Sequence, residues 1–251
     1  MQTAYDFAPA KGFPGMKADS RFDLVETRIL SEAVVPGRGV VKTYGSDTGA
    51  RLPKSNQSVI TDNADTFTAG DIVTTVNGTA ITTASGTDKD TTMTAHAAAI
   101  QAGVAGVYSA VYAASTHTIT IKTRNLDLVT TVDVSGITGD MTATVATSSL
   151  DSVLEGIVLN GGNLVQDANG LVSYSANDPV SVLRVGASYV TPEEDVTSDD
   201  AVYLRVVANG ASKPIGGFGK SADSGKCVAV SNARFVEGGL TTGVAKIEIR
   251  Y

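Results

Sequence analysis

The chain has 251 residues and a formal net charge of −7, with 19 Lys and Arg residues against 26 Asp and Glu. Because the cations form no cluster along the sequence, neither nucleic acid nor an anionic membrane surface is expected as a partner. A single cysteine, Cys227, excludes an intrachain disulfide framework and a multi-cysteine metal site, and it is interpreted as a small buried apolar residue in a strand.

The composition predicts a mainly β protein. Hydrophobic residues make up 42% of the chain and charged residues 18%, and glycine occurs 26 times among many Thr, Ser, Val and Ala residues. Such a mixture favours strands and tight turns over long helices. No apolar stretch approaches the ~20 residues that span a bilayer, and no basic segment precedes an apolar run at the N-terminus. We therefore expect synthesis in the cytoplasm without export through a signal peptide.

Residues 1–20 are predicted to form an extended N-terminal arm. Pro9 and Pro14 disfavour a helix there, and large apolar side chains are spaced along the segment. An arm of this kind cannot bury such side chains against itself. They should lie on the body of the same chain or on a neighbour, and the residues concerned are Tyr5, Phe7, Phe13 and Met16.

Two separated stretches, 21–58 and 148–251, are predicted to form one β-sandwich body of the jelly-roll type. Short apolar runs alternate in them with Gly, Pro and Asn turns, as between strands of a sandwich. The last strand is the clearest, because Ile247, Ile249 and Tyr251 alternate with charged residues. We expect 246–251 to be an exposed strand that can pair with another subunit.

The segment 59–147 differs in texture and is predicted to be an inserted α+β domain of order ββαββ. Asn77-Gly78 between two strand-like runs is a strong hairpin signal. Asp88 or Asp90 can then cap a helix over 91–102, in which Met93, Ala97 and Ile100 share a face. Strands are predicted to follow at 107–113, 118–122 and 129–134.

No motif predicts catalysis, a cofactor or a metal, so the chain is not expected to be an enzyme. His96 and His117 lack partners at metal-ligand spacing and are interpreted as surface or partly packed residues. The glycines of 217–225 fit neither a dinucleotide nor a phosphate loop, because a β-like run follows where a helix is required. The acidic patch 193–200 lacks the spacing of a calcium loop and is interpreted as a solvated turn.

Several segments resemble the structural cement proteins of tailed bacteriophages, which decorate capsids. The resemblance begins in the arm, with 1–10, 12–16 and 18–20, and includes the strand Pro179–Gly186. It continues in the same order through 193–196, 202–203 and 232–235. On this basis it covers about residues 1–55 and 150–251, by comparison of strand and turn texture, and 59–147 is not part of the common core.

The resemblance implies a jelly-roll-like body on the outer surface of the virion, bridging subunits of the major capsid protein. Self-association is expected as well, with a homodimer preferred to a homotrimer. The residues predicted to contact the capsid or another subunit are Tyr5, Phe7, Phe13, Met16, Ile247, Ile249 and Tyr251. The alternative is an adhesin-like module that binds host glycans through 59–147, although aromatic side chains for stacking on sugars are sparse there.

Overall fold

The computed structural model describes residues 12–19, 23–43, 45–54, 57–62, 71–76, 78–84, 86, 88–123, 141–144, 154–161 and 172–250. The chain divides into two compact units. One, the barrel unit, comprises Met1–Pro53, Ser152–Asp223 and Cys227–Tyr251; the other, the helix unit, comprises Lys54–Asp151 and Ser224–Lys226. That 59–147 is a domain inserted into a family body stays a prediction.

The barrel unit is built from strands alone within its described residues. Its strands are β1 (Leu24–Leu30), β2 (Gly39–Lys42), β3 (Gly49–Arg51), β10 (Leu154–Val158), β11 (Pro179–Val190), β12 (Tyr203–Arg205), β13 (Phe218–Gly219), β14 (Cys227–Ala229), β15 (Ala233–Glu237) and β16 (Ala245–Ile249). The helix unit contains β4 (Gln57–Asp62), β5 (Asp71–Val76), β6 (Thr79–Ala84), α1 (Lys89–Gly103), β7 (Val107–Ala113), β8 (Thr118–Thr123) and β9 (Met141–Thr144). The mainly β class is confirmed.

Five strands of the barrel unit close into a ring. The order is β1-β3-β2-β10-β11, and β11 pairs back onto β1. The β1–β3 pair is parallel and the other pairs are antiparallel. Because closure leaves no unpaired edge between these strands, the ring is a small barrel rather than an open sheet. The predicted jelly roll is therefore not confirmed.

Strand β11 links the barrel to a second group of strands. Its first half, up to Val185, pairs with β1, whereas Gly186 to Val190 pairs with β16. Gly186 marks the change of partner with a φ of 122°. A Cβ there would lie 3.0 Å from the Cβ of Asp23, so the position suits glycine. A separate sheet of order β13-β12-β14 completes the unit.

The strand that contains Ile247 and Ile249 is not an exposed edge. It lies between β11 and β15 and pairs with both. The two isoleucines are 0% and 1% exposed, because they face the core, as their alternation with charged residues indicates. The expectation that this strand is exposed and adds to another subunit is therefore wrong, since both of its edges are occupied. Tyr251 lies outside the described residues.

The interior of the barrel is apolar at one level and charged at the next. The apolar cluster consists of Leu30, Val34, Val40, Ala50, Val158, Tyr174, Val180 and Val182. On β1, Glu26 and Arg28 continue the inward alternation of Leu30. Nη2 of Arg28 lies 2.6 Å from Glu155, and Arg184 pairs with Glu26 at 2.8 Å and with Glu155 at 3.1 Å. Two arginines and two glutamates thus neutralise one another inside the ring.

One glycine of β10 is required by the close approach of β11. A Cβ on Gly156 would lie 2.3 Å from the carbonyl oxygen of Leu183 and 2.6 Å from Cγ1 of Val182. We expect Gly156→Ala to lower the free energy of unfolding by about 1–3 kcal/mol, because backbone atoms must shift to admit the methyl group. Urea unfolding followed by circular dichroism measures this. Gly243→Ala is the control, since a Cβ there would lie 3.7 Å from its nearest neighbour, the Leu240 carbonyl oxygen. An equal loss of stability in both variants would contradict the argument.

The helix unit packs α1 and the β5–β6 hairpin around a sheet of order β7-β8-β4-β9. The helix begins after Asp88, whose carboxylate accepts a hydrogen bond from the Thr91 amide at 3.1 Å, so the predicted cap is confirmed. The hairpin is also present, with Gly78 at a φ of 78°. Strands β4 and β9 add to the predicted elements, and the predicted strand at 129–134 lies outside the described residues. The core is Ile60, Ile72, Val76, Met93, Ala97, Ile100, Val104, Val107, Ala110, Ile119 and Ile121.

His96 is fully buried between α1 and the hairpin, which corrects its interpretation as a surface or partly packed residue. Its Nε2 lies 2.7 Å from Oγ1 of Thr74 and its Nδ1 lies 2.9 Å from Oγ1 of Thr83. Both ring nitrogens are therefore satisfied by hydroxyl groups, which can serve the neutral imidazole as donor or acceptor. Burial lowers the pKa of His96 from 6.5 to about 4.

Candidate contact surfaces

The first three carboxylates of the acidic patch make structural contacts, whereas residues 197–199 form an exposed turn as interpreted from the sequence. The side chain of Glu193 is only 5% exposed and accepts two hydrogen bonds from Nε of Arg205, at 2.9 and 2.7 Å. Nη2 of the same arginine donates to Asp223 at 2.5 Å. Burial lowers the pKa of Arg205, but the hydrogen bonds to Glu193 and Asp223 outweigh it and the net shift is upward. We call these three residues the Arg205 cluster.

The next two carboxylates of the patch hold neighbouring loops. Glu194 accepts hydrogen bonds from the Lys220 amide at 3.0 Å and from Oγ of Ser221 at 2.7 Å. Asp195 accepts one from the Thr241 amide at 2.9 Å. The glycine-rich loop is thus fixed by carboxylates, which would repel a phosphate group placed there. The rejection of a phosphate loop from sequence agrees with this geometry.

Two further observations bear on chemistry. Cys227 is 5% exposed in β14, and burial raises the pKa of its thiol to about 11, so its interpretation as a small buried apolar residue is confirmed. Within the part of the chain that the structure describes, no three His, Cys, Asp or Glu side chains are grouped so that they could hold a metal ion. The helix found there is too short and too polar to cross a membrane.

The described part of the N-terminal arm lies on the body of its own chain. The Gly15 amide donates to the Tyr189 carbonyl at 2.8 Å, and the Ala18 amide donates to the Ala187 carbonyl at 2.9 Å. In return the Tyr189 amide donates to the Met16 carbonyl at 3.0 Å. The arm therefore runs as an added strand along the second half of β11. Tyr5 and Phe7 lie outside the described residues.

A groove lies beside this part of the arm. It has a volume of about 830 Å³ and is lined by residues 12–14, by Thr191 and Val196, and by residues 238–244. Phe13 is 49% exposed and Leu240 is 62% exposed, so each wall presents a large apolar side chain to solvent. All of the lining side chains are uncharged. We call this feature the Phe13–Leu240 groove.

Both walls of the groove are tight turns held by hydrogen bonds. In one, the Met16 amide donates to the Phe13 carbonyl at 3.0 Å, and in the other the Gly243 amide donates to the Leu240 carbonyl at 2.9 Å. Val196 and Gly239 exchange two backbone hydrogen bonds at 2.9 and 3.0 Å, which fixes the second turn to the body. The exposed side chains are thus presented by ordered backbone, which reduces the entropy lost on binding.

A second apolar surface is the outer face of β1. Val25 and Ile29 alternate with the inward residues of this strand and are 41% and 46% exposed. Thr27 lies between them on the same face, so the strand offers an uncharged outer strip, which we call the β1 face. On the opposite side of the same strand, Glu26 pairs with Arg184 and Arg28 pairs with Glu155, which links β1 to β11 and β10.

A comparison with protein-family models shows the family of this chain. A family model described as structural cement protein (E217 gp24/Pam3 gp6) matches residues 54–250. A chain from the structure "The capsid of Myoviridae Phage XM1" is similar with a TM-score of 0.48 and 10% identity, over 100% of this chain and 97% of that one. A comparison with curated proteins finds no match. The protein is a structural component of a phage capsid and so of the virion. It belongs to the phage structural cement protein family.

The extent of the family match differs from the expectation. The matched span starts at residue 54, so it leaves out the arm and the first strands of the barrel, on which the sequence resemblance partly rested. It also runs through 59–147, the segment that was expected to lie outside the common core. The family predicted from strand and turn texture is confirmed, while the matched span differs from the extent given for the resemblance.

Proposed function

We propose that the protein decorates the outer surface of the major-capsid-protein lattice and stabilises the shell without catalysing a reaction. The observation that carries this proposal is the family match over residues 54–250. A decoration protein binds many equivalent positions on one particle, so contacts of modest strength add up through multivalency. This function requires a firm body with an exposed apolar contact surface, rather than a pocket with convergent polar groups.

The barrel unit supports such a role through its β1 face. Exposed apolar side chains on a paired strand need no reordering when they bind. Since less than half of each side chain is exposed, completing its burial contributes about 1 kcal/mol for each residue. The internal ion pairs of Arg28 and Arg184 with Glu155 tie β1 to β10 and β11 behind this face. We assign the capsid contact to Val25 and Ile29, and we assign no catalytic or metal-binding role to any residue.

Binding to undecorated shells tests the proposal. We expect the wild-type protein to co-sediment with shells to saturation and to raise the temperature at which they rupture. The double variant Val25→Ser/Ile29→Ser should bind at least about ten-fold more weakly. A ten-fold change in affinity corresponds to about 1.4 kcal/mol, which is less than the free energy of apolar burial that the two substitutions remove. Val111→Ser is the control, as Val111 is 58% exposed in the helix unit.

Two outcomes would count against this assignment. If the wild-type protein fails to bind intact shells, decoration of the capsid surface is wrong. If the β1 double variant binds shells normally but a substitution on another surface abolishes binding, the protein still decorates the capsid, and the assignment of the contact to the β1 face is wrong. The alternative, an adhesin-like module that binds glycans through residues 59–147, stays a prediction. Of the two tyrosines of the helix unit that could stack on a sugar, Tyr108 is 39% exposed, and Tyr112 donates its hydroxyl hydrogen bond to Asp90 at 2.8 Å.

A further inference from the structure

Four Asn-Gly pairs occur in the sequence, at 77–78, 160–161, 169–170 and 209–210. In such a pair the backbone nitrogen of the glycine can attack the side-chain amide of the asparagine, because glycine has no side chain to obstruct the approach. The structure describes both residues of the pairs at 160–161 and 209–210. The surroundings of these two pairs differ, so the two asparagines are expected to differ in chemical stability.

The Asn209-Gly210 pair lies in an exposed turn after β12. The Asn209 amide donates to the Lys213 carbonyl at 3.0 Å, and Gly210 has a φ of 72°. Gly210, Ala211 and Ser212 are all exposed. Among the described residues, no atom beyond its chain neighbours lies within 4 Å of the position that a Gly210 Cβ would take. The backbone at Gly210 therefore borders solvent, and local fluctuations of such a turn bring its nitrogen to the Asn209 side chain.

The Asn160-Gly161 pair, in contrast, is restrained by a buried tyrosine. The Gly161 amide donates to Oη of Tyr174 at 2.8 Å, and the same hydroxyl donates to the Leu159 carbonyl at 3.0 Å. Tyr174 is 6% exposed, and the Asn160 amide donates to the Gly15 carbonyl at 3.0 Å. The Gly161 nitrogen must lose its hydrogen bond before it can attack the Asn160 side chain. This pair is therefore protected, although it has the same two residues.

We propose that Asn209 is a site of spontaneous covalent modification, in which its side-chain amide is converted to a carboxylate. The Gly210 nitrogen forms a bond to Cγ of Asn209 and loses its proton to solvent. The bond from Cγ to Nδ2 breaks, and the leaving nitrogen takes up a proton from solvent and departs as ammonia. Water then opens the cyclic imide at either carbonyl carbon, which gives aspartate or isoaspartate at position 209. Only water is consumed, so the proposal does not depend on capsid binding.

The conversion alters the Arg205 cluster, because Asn209 contacts it. Nδ2 of Asn209 donates to Oδ2 of Asp223 at 3.1 Å, and Nη2 of Arg205 donates to the same oxygen at 2.5 Å. The hydrogen bond from Arg205 lowers the pKa of Asp223, so this carboxylate is ionised at neutral pH. A carboxylate at position 209 cannot donate a hydrogen bond to Asp223 and repels it through its like charge. Residues 207–223 are then held less firmly.

Peptide mapping by mass spectrometry, on protein incubated in mildly alkaline buffer, tests the site. Conversion at Asn209 is expected to be about ten-fold or more faster than at Asn160. A ten-fold difference corresponds to about 1.4 kcal/mol, which is comparable to the cost of leaving the Gly161 amide without its partner. In urea-unfolded protein the two rates should be similar, and Tyr174→Phe should raise the rate at Asn160 alone. Conversion in the folded wild type that is no faster at Asn209 than at Asn160 would overturn the proposal.

Hydrogen exchange of the variant Asn209→Asp tests the consequence for the Arg205 cluster. Residues 207–223 are expected to exchange about three-fold or more faster than in the wild type, which is the effect of losing one hydrogen bond. Ser212→Asp is the matched control, because Ser212 is exposed in the same turn and adds an equal charge to solvent. Unchanged exchange in Asn209→Asp, or an equal increase in Ser212→Asp, would show that the Asn209 amide does not hold the cluster.

Discussion

Replacing Arg205 with methionine is expected to lower the free energy of unfolding of the barrel unit by about 3–5 kcal/mol. The arginine is 1% exposed and is the counter-ion of two carboxylates, of which Glu193 is itself 5% exposed. Methionine preserves much of the side-chain volume but removes the hydrogen bonds of Arg205 to Glu193, which then keeps the Coulombic attraction of Arg38. Removing one member of a buried ion pair is costly because its partner loses such hydrogen bonds, whatever the net contribution of the intact pair.

We also expect Arg205→Met to have a local effect on the loop that follows β12. Arg205 also donates to the Val207 carbonyl at 3.2 Å, and Asp223 accepts from Nδ2 of Asn209 at 3.1 Å. Loss of the Arg205 side chain should therefore loosen residues 207–223 before the rest of the barrel unit unfolds. Hydrogen exchange followed by mass spectrometry would detect this as faster exchange in that segment at neutral pH.

A surface arginine and a neutralised partner serve as controls. Arg234→Met should cost no more than about 1 kcal/mol, because Arg234 is 52% exposed in its pair with Glu248. The double variant Glu193→Gln/Arg205→Met should recover part of the loss, since the buried charge is then absent. A loss for Arg205→Met no larger than that for Arg234→Met, measured by urea unfolding, would refute the account.

Local features of this fold could be predicted from the sequence, because neighbouring residues determine them. The Asp88 cap, the face shared by Met93, Ala97 and Ile100, and the hairpin turn at Gly78 are all formed within a few residues. The alternation around Ile247 and Ile249 likewise indicated one buried face. Alternation does not reveal whether the edges of a strand are paired, and this is why β16 was misjudged as exposed.

The barrel could not be predicted, because its closure depends on pairs far apart in the chain. Leu24 pairs with Val185, and β11 changes partner at Gly186 without any break in its apolar run. The contacts of the first part of the acidic patch were missed for a similar reason, since the partner of Glu193 is Arg205 and that of Asp195 is the Thr241 amide. Charge density alone resembles a solvated turn when the partners are remote in sequence.

The Phe13–Leu240 groove likewise combines one residue that the sequence analysis singled out with one that it did not. Phe13 was predicted as a contact residue because an extended arm cannot bury its large apolar side chains against itself, and it is 49% exposed. Leu240 was missed, although it is an isolated large apolar residue within Gly238-Gly239-Leu240-Thr241-Thr242-Gly243. A lone leucine in such a turn is itself a signal of an exposed apolar contact. The sequence does not reveal that residues 12–14 lie close to residues 238–244 in the folded protein.

Acidification from pH 6.5 to pH 4 is expected to destabilise the helix unit by about 3 kcal/mol through His96. The pKa of His96 is lowered from 6.5 to about 4 in the folded protein, because burial removes the ring from water and disfavours its charged form. The ring nitrogens contact the neutral hydroxyl groups of Thr74 and Thr83. The unfolded chain therefore binds a proton more readily than the folded one in this pH window. Stability is full above pH 6.5 and falls as the pH decreases, with each unit of the shift worth about 1.4 kcal/mol.

Substitution of His96 separates this effect from general acid unfolding. His96→Gln should cost stability at pH 7.5, since the packing of the ring is lost, but its unfolding free energy should depend less on pH between 6.5 and 4 than that of the wild type. His117→Gln is the matched control, because His117 is exposed in the β7–β8 turn, and it should retain the wild-type slope. Urea unfolding at a series of pH values, with hydrogen exchange reporting on α1, measures both slopes. Equal slopes for wild type and His96→Gln would show that His96 is not the titrating group. The loss of stability at low pH would then have to arise from carboxylates such as Glu26. The hydrogen bond from Arg184 holds the pKa of Glu26 below its usual range.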